Sequence, residues 1–260
     1  MESCCDSSVE KCDIFDFMAR YVGMTIIHPG GLQATRELAE GCLIDKNSRV
    51  LDLACGKGTS SIYLARRYGC QVVGLDIAED LIDTGRELAR KSGVHDKVSF
   101  VVGDALAIPF ADNEFDAVIS QAMLVLIEDQ KKVVTEASRV AKKDGHCGWI
   151  ELSWKKEPTK DFLDTVSTVI CAYCMLNSHT YAGWKQLFED AGMADLKVIE
   201  HSMNFQGMGS MFGDEGIANT IRIMWKYATD SKVRQRMNIL SRNFQKYTDF
   251  FGYGIYIVKK

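Results

Sequence analysis

The chain predicts an α/β fold built on an open, mostly parallel sheet with helices on both faces. Three observations carry that expectation. An apolar strand, Arg49 to Leu53, breaks into a small-residue turn, Ala54-Cys55-Gly56-Lys57-Gly58, and then into a helix from Ser60 to Tyr68. The next two apolar runs each end in a carboxylate, Gln71 to Asp76 and Val98 to Asp104. A fourth run, Phe115 to Ser120, follows them. Successive strand ends of this kind bring polar tips to one edge of a parallel sheet, the edge at which open α/β sheets bind ligands.

The elements read in order as follows. Lys11 to Leu43 forms helical cover, with Ile14, Phe17, Met18 and Tyr21 at helical spacing. His28-Pro29-Gly30-Gly31 breaks it, and a helix from Leu32 to Cys42 resumes. Strand one ends in the glycine turn, where small residues admit close backbone approach and the helix behind supplies free N–H groups. Strands two to four are Gln71 to Leu75, Val98 to Val102 and Ala117 to Ser120. A helix from Gln130 to Ala141 stops at Lys142-Lys143-Asp144-Gly145, since basic residues and a glycine suit a helix C-terminus. Strand five is His146 to Trp154. A helix from Tyr181 to Ala191 ends at Gly192, strand six is Ala194 to His201, and strand seven is Tyr253 to Val258.

About fifty residues, Met203 to Gly252, separate the last two strands, far more than a hairpin connection needs. They predict two amphipathic helices. Asp214 to Ala228 carries Ile217, Ile221, Met224 and Trp225 on one side. Ser231 to Phe251 carries Val233, Met237, Leu240, Phe244, Tyr247 and Phe251, a seam wanting a partner. The expected organisation is a helical lid over 1–44, a ligand-binding core over 45–202, a helical insertion over 203–252 that caps substrate or forms a homodimer, and a last core strand over 253–260.

Composition narrows the partners. A length of 260 residues suits one globular domain with additions. A net charge of -4 with interspersed signs gives no footprint for nucleic acid or an anionic membrane. No apolar run approaches the roughly 20 residues that span a bilayer, so no membrane span is expected. Met1 to Asp6 has no basic or apolar stretch of a secretory signal, so the expected location is cytoplasmic. Nine cysteines then imply free thiols in a reducing compartment. Cys42, Cys70 and Cys147 read as small buried hydrophobes, and Cys4, Cys5 and Cys12 crowd the N-terminal arm. Cys171 and Cys174 form a C-x-x-C pair without a second pair or histidine partner, so no metal site is expected.

From Asp45 to Glu151 the series of glycine turn, acidic end of strand two, Asp-Ala after strand three and Phe-Asp-Ala-Val in strand four resembles the class I S-adenosylmethionine-dependent methyltransferases. The resemblance implies a Rossmann-like seven-stranded sheet, mostly parallel, whose antiparallel last strand inserts between the fifth and sixth. The chain departs from a dinucleotide fingerprint, because Ser60 or Ser61 stands where a third glycine is wanted. It also carries Ala54 where the methyltransferases often have glycine.

By that resemblance the cofactor is S-adenosylmethionine. Ala54, Cys55, Gly56 and Gly58 would line its methionine and ribose parts. Asp52 would act near its amino end, and Asp76 would take the ribose hydroxyls. Ile77 and Leu81 would pack on the adenine, while Gly103, Asp104 and Ala105 would meet its amino edge. Gln121 and Ala122 would face the methyl-donor side.

Gly23 to Thr35 also resembles the lid segment of the phosphoethanolamine N-methyltransferases. By that similarity Ile27, His28, Gly30 and Gly31 close over the sulfonium. The catalytic tyrosine and histidine of those enzymes fall at Met18 and Val125 here, and the aspartate ahead of the histidine falls at Gln121. The amine-phosphate chemistry is therefore not expected, and the lid regions show no Arg or Lys cluster for a phosphate.

Candidate catalytic residues are His28 in the lid, and His179 and Tyr181 between strand five and the next helix. His28 also reads as a loop histidine before proline, and Tyr181 as a staple at a helix start. Glu151 and Trp154 end strand five on the ligand side, whereas His146 and His201 read as structural. Met123, Met175, Met203, Met208, Met211 and Phe212 suit an apolar pocket or plain core filling. The reading is methyl transfer to a small-molecule acceptor by in-line displacement. Two alternatives stay open: transfer to a thiol or metalloid using cysteines, and a cofactor-binding protein without turnover.

Overall fold

The computed structural model describes residues 14–169, 177–193, 195–203 and 208–260. Its strands are β1 (Arg49–Leu53), β2 (Gln71–Asp76), β3 (Val98–Val102), β4 (Phe115–Gln121), β5 (Ala141–Trp154), β6 (His179–Thr180), β7 (Lys197–Ser202) and β8 (Phe251–Lys259). They form one sheet in the order β3-β2-β1-β4-β5-β8-β7, and the two-residue β6 pairs with the end of β5. The first five strands run parallel, and β8 lies antiparallel between β5 and β7. The expected insertion of the last strand is thus present.

The helices are α1 (Ile14–Asp16), which continues into a π-helical turn (Phe17–Val22), α2 (Gly31–Gly41), α3 (Thr59–Tyr68), α4 (Glu79–Lys91), α5 (Gln130–Val140), α6 (Lys160–Val169), α7 (Tyr181–Asp190), α8 (Met208–Thr229) and α9 (Ser231–Lys246). Two apolar layers flank the sheet. Leu38, Leu64 and Ile82 from α2, α3 and α4 pack on Val50, Val72 and Ile150. Val133, Trp184 and Phe188 from α5 and α7 pack on Leu51, Trp149 and Tyr256. Burial on both faces explains why β1 reads as an unbroken apolar run apart from Asp52.

Three boundaries differ from the sequence expectation. The Lys142 to Gly145 stretch is a bulge inside β5, not a loop before it: Phe115 pairs with Ala141, and Ala117 pairs with His146. Asp144 takes a left-handed φ of 66° there, and Lys142 reaches Asp116 at 2.8 Å. The helix expected over Asp214 to Ala228 spans Met208–Thr229 and kinks at Gly216, whose φ of 72° and ψ of 164° are non-helical. The last helix stops at Lys246, because Phe251 is fully buried as the first residue of β8, paired with Trp154. Its apolar seam finds its partner within the chain: Phe244 packs on Phe251 with ring centres 5.2 Å apart. Among the described residues no helix is long and apolar enough to cross a membrane.

Candidate active site

The C-terminal ends of β1, β2, β3 and β4 open onto a cavity of about 560 Å³. Ile27, His28, Asp52, Ala54, Cys55, Gly56, Asp76, Ile77, Leu81, Gly103, Asp104, Ala105, Gln121 and Ala122 all line it. Gly30, Gly31 and Gly58 stand behind the lining. Gly58 begins α3 at φ 70°, and a Cβ there would run into the Phe100 ring. Gly30 and Gly31 begin α2, packed against the Tyr253 hydroxyl and the Asp214 carboxylate. Gly56 differs from these. Its φ is 55°, and a Cβ would meet no protein atom within 4 Å, so the bend leaves open space beside the strand ends. Ala54 and Ala122 hold left-handed φ values of 53° and 59°.

The carboxylates are held differently. Asp52 is 1% exposed and accepts the Ser61 hydroxyl at 2.6 Å. Burial pushes its carboxyl up to about 6. Asp76 accepts the Gly56 N–H at 2.8 Å on one oxygen and the Ala78 N–H at 2.9 Å on the other, and burial raises its carboxyl too. Asp104 stands exposed at the mouth and accepts the Leu106 N–H at 2.9 Å. The Cys55 thiol is pushed well above its ordinary value by burial, which keeps it protonated.

The segment before α2 forms one side of the cavity. The His28 ring lies 3.2 Å from the Pro29 carbonyl through Nδ1 and 3.2 Å from the Thr35 hydroxyl through Nε2. Burial pushes its pKa down to about 4. Phe15, Asp16, Ala19 and Arg20 also line the cavity. They occupy the face of the N-terminal helix opposite Phe17 and Tyr21, so helical spacing carried a signal for them. Arg20 pairs with Asp16 and Asp80, and Lys57 donates to the Ala19 and Met24 carbonyls at 2.7 and 3.3 Å. Met123, expected in an apolar pocket or the core, also lines the cavity, as do Leu126, Ile127, Glu128 and Asp129, which the sequence did not single out.

His179 and Tyr181 lie outside this lining. The His179 ring is bonded to the Gln130 side chain at 2.8 Å and sits edge-on to Trp184, and the Tyr181 hydroxyl donates to the His201 carbonyl at 2.9 Å. Trp154 is buried with its indole N–H on the Ser178 carbonyl at 3.1 Å. Glu151 is buried behind the cavity, where it accepts the Leu124 N–H at 2.9 Å. Met18 packs on the core and Val125 is 1% exposed, so neither reaches the cavity. Cys4, Cys5, Cys12, Cys171, Cys174 and Met175 lie outside the described residues, as do the side chains of Met208 and Met211. Among the described residues no three His, Cys, Asp or Glu side chains gather as a metal site.

A glycine bend at a strand end, carboxylates on the neighbouring strand ends and the segment before α2 line one cavity. The profile of the methyltransferase domain family matches residues 44–192. The chain belongs to that family. This methyltransferase is 28% identical over 231 residues to an uncharacterised protein of Haemophilus influenzae, covering 88% of this chain and 90% of that protein. It is 30% identical over 194 residues to a probable tocopherol O-methyltransferase of Oryza sativa, covering 70% of this chain and 53% of that protein. It therefore spans about half the length of the rice relative. Its fold is similar to phosphoethanolamine N-methyltransferase 2 of Haemonchus contortus, solved with S-adenosylhomocysteine, at a TM-score of 0.72 and 18% identity over 98% of this chain and 60% of that one. The methyltransferase uses S-adenosylmethionine as its cofactor.

Proposed function

We propose that this methyltransferase acts on an apolar small molecule carrying no strong anion, and that His28 receives the proton the acceptor loses. One observation carries the reading. Among the described residues the two cations lining the cavity are already engaged, Arg20 on carboxylates and Lys57 on backbone carbonyls, while Phe15, Ala19, Met24, Ile27 and Met123 give the lining an apolar share. A phosphate would need a free Arg or Lys fork that this arrangement does not offer.

When bound, S-adenosylmethionine supplies a methyl group made electrophilic by a sulfonium. The open space beside Gly56 and the carboxylates of Asp52, Asp76 and Asp104 suit an adenosyl ligand. Asp76 keeps lone pairs free for two hydroxyls after accepting its two backbone N–H groups. Asp52 faces the amino end, and Asp104 with Ala105 the adenine edge. The glycine bend and lid hold donor and acceptor in line and keep water out, which is most of what this displacement requires. Burial keeps the His28 ring neutral near pH 7 and makes it a weak base, so it would take a proton only from an acceptor made strongly acidic by methylation. Cys55 supports no thiolate role, since its proton is held tightly. We read 1–44 as lid, 45–202 as core, 203–252 as a cap on the lid and 253–260 as the closing core strand.

Calorimetric titration with S-adenosylhomocysteine, followed by turnover with apolar phenols, quinols and amines, tests the proposal. Tight binding that Asp76→Ala weakens by tenfold or more (about 1.4 kcal/mol) is expected. Binding unaffected by that change removes the assigned ribose site, and preferred turnover of phosphoethanolamine removes the apolar acceptor. The homodimer expected through 203–252 rests on the exposed stripe Ile217, Ile221, Met224 and Trp225. A dimeric mass by light scattering that Trp225→Glu halves supports it, and a monomeric mass before any substitution rejects it.

A further inference from the structure

The overall charge of -4 hides a strong local asymmetry. From Ile217 to Lys246, most of the α8–α9 hairpin, the chain has seven Lys or Arg and one carboxylate, Asp230. Asp230 is committed as the cap of α9, where it accepts the Lys232 and Val233 N–H groups at 3.0 and 3.1 Å. Lys232, Arg242 and Lys246 stand exposed on α9, and Ile239 is exposed among them. Steps of three and four join Ile239, Arg242 and Lys246 on one face of that helix, and Lys232 lies two turns before Ile239.

The neighbouring helix adds an apolar face. Ile217, Ile221, Met224 and Trp225 recur at helical spacing along α8 and remain exposed, Ile217 by 70% and Trp225 by 66%. Both helices are held to the body by their other sides. On α8, Thr220 and Ile223 are buried, Asn219 and Arg222 donate to the Gly23 carbonyl, and Glu215 accepts the Thr25 and Ile26 N–H groups. On α9, Val233, Leu240 and Phe244 are buried. The stripe is therefore surplus to the packing that fixes α8. Met24 and Thr25 line the cavity, so the hairpin is bonded directly to one of its walls.

We propose that the α8–α9 hairpin docks on an anionic lipid surface, with the α8 stripe at the acyl boundary and the α9 cations among the head groups. A helix that lies in a membrane interface joins Trp and aliphatic side chains to nearby Lys and Arg, and each cation close to an anionic surface adds to the attraction. The contact is peripheral, since among the described residues no helix is long and apolar enough to cross a bilayer. A second copy of this chain suits the stripe less well, because a two-fold contact there sets the cationic hairpin against its own copy. Docking extends the apolar-acceptor reading by bringing a lipid-dissolved acceptor to the cavity wall. It is read without turnover, so either proposal can fail while the other stands.

The test mixes the full chain with phosphatidylcholine vesicles, with and without phosphatidylglycerol. The parent chain should sediment with the anionic vesicles and be released by salt. Lipids brominated on the acyl chain should quench its tryptophan emission, because Trp149, Trp154 and Trp184 are buried and Trp225 is exposed. Trp225→Phe should keep the sedimentation and lose the quenching. Lys232→Gln combined with Arg242→Gln should weaken binding about thirtyfold, at about fivefold per cation. A parent chain that stays in the supernatant, or that sediments without quenching, overturns the proposal. A dimer in solution that Trp225→Glu dissociates, with no vesicle binding by the parent chain, gives the stripe to a second copy and overturns it equally. Should the double variant not fold, the comparison of the parent chain with Trp225→Phe decides, and quenching that persists in Trp225→Phe removes the assigned stripe.

Discussion

Glu151→Gln should remove a loss of stability that the parent chain suffers as pH rises. Glu151 is fully buried on β5, and burial pushes its carboxyl up to about 8 from an ordinary 4.5. One oxygen accepts the Leu124 N–H, and the other has no protein partner among the described residues. Between about 4.5 and about 8 the folded chain keeps a proton there that the unfolded chain has released. Raising pH through this range therefore favours unfolding, and the stability is fully present only below the lower value.

The window from about 6.5 to about 8 isolates the effect. Asp52, near 6, has largely ionised by then, and the lowered values of His28, His146 and His179 lie below it. The slope is at most about 1.4 kcal/mol per pH unit, so the window is worth about 2 kcal/mol. For a chain of this size that is a fall of about 4–8 °C in the unfolding midpoint. Scanning calorimetry at both ends should show this fall in the parent chain and a nearly flat response in Glu151→Gln. Equal slopes in the two proteins would refute a buried, neutral Glu151.

Three further outcomes follow from the backbone and the lid. Ala54→Gly should stabilise by about 0.5 kcal/mol in urea denaturation, because relief of the left-handed φ (roughly 1–2 kcal/mol) exceeds the entropy lost to glycine (about 0.5–1); a loss above about 1 kcal/mol contradicts this. Gly58→Ala should cost about 2–4 kcal/mol, combining a left-handed alanine with overpacking against Phe100, and an unchanged urea midpoint contradicts it. Glu215→Ala should loosen the lid rather than the sheet. Glu215 accepts the Thr25 N–H and hydroxyl at 2.8 Å and the Ile26 N–H at 3.1 Å, so hydrogen exchange should accelerate at those two amides while β1 and β4 amides stay protected. Unchanged exchange at Thr25 and Ile26 contradicts that role.

The sheet half of the site was legible because its signals are local. A strand, a glycine bend and a helix start lie within Arg49 to Tyr68, and each carboxylate ends its own apolar run. Burial on both sheet faces makes those runs continuous, so their ends stand out. The stretch Lys142 to Gly145 reads equally as a helix stop or a strand bulge, because both favour the same residues, glycine and a left-handed aspartate. Phe251 was assigned to a helix because its spacing from Phe244 and Tyr247 continues the seam. Pairing with Trp154, about a hundred residues earlier, overrode that spacing.

The lid half was legible at Ile27 and His28, which line the cavity as expected, and its geometry was not. Its geometry depends on pairs that sequence spacing does not link, such as Glu215 with Thr25, 190 positions apart, and Thr35 with Gln121, 86 apart. The chemistry adds to this. A sulfonium leaves readily, so transfer asks the protein for alignment and exclusion of water before it asks for a strong base. Alignment is supplied by packing around the acceptor, and packing leaves no fixed residue type behind. His28 stands out only when its surroundings are seen: alone it is a histidine before a proline, and in the fold it lines the cavity with its ring beside the Thr35 hydroxyl. The residues that decide which acceptor is used should accordingly be sought among the non-motif lining, Phe15, Ala19, Met24, Met123, Leu126 and Ile127, and not at the strand ends.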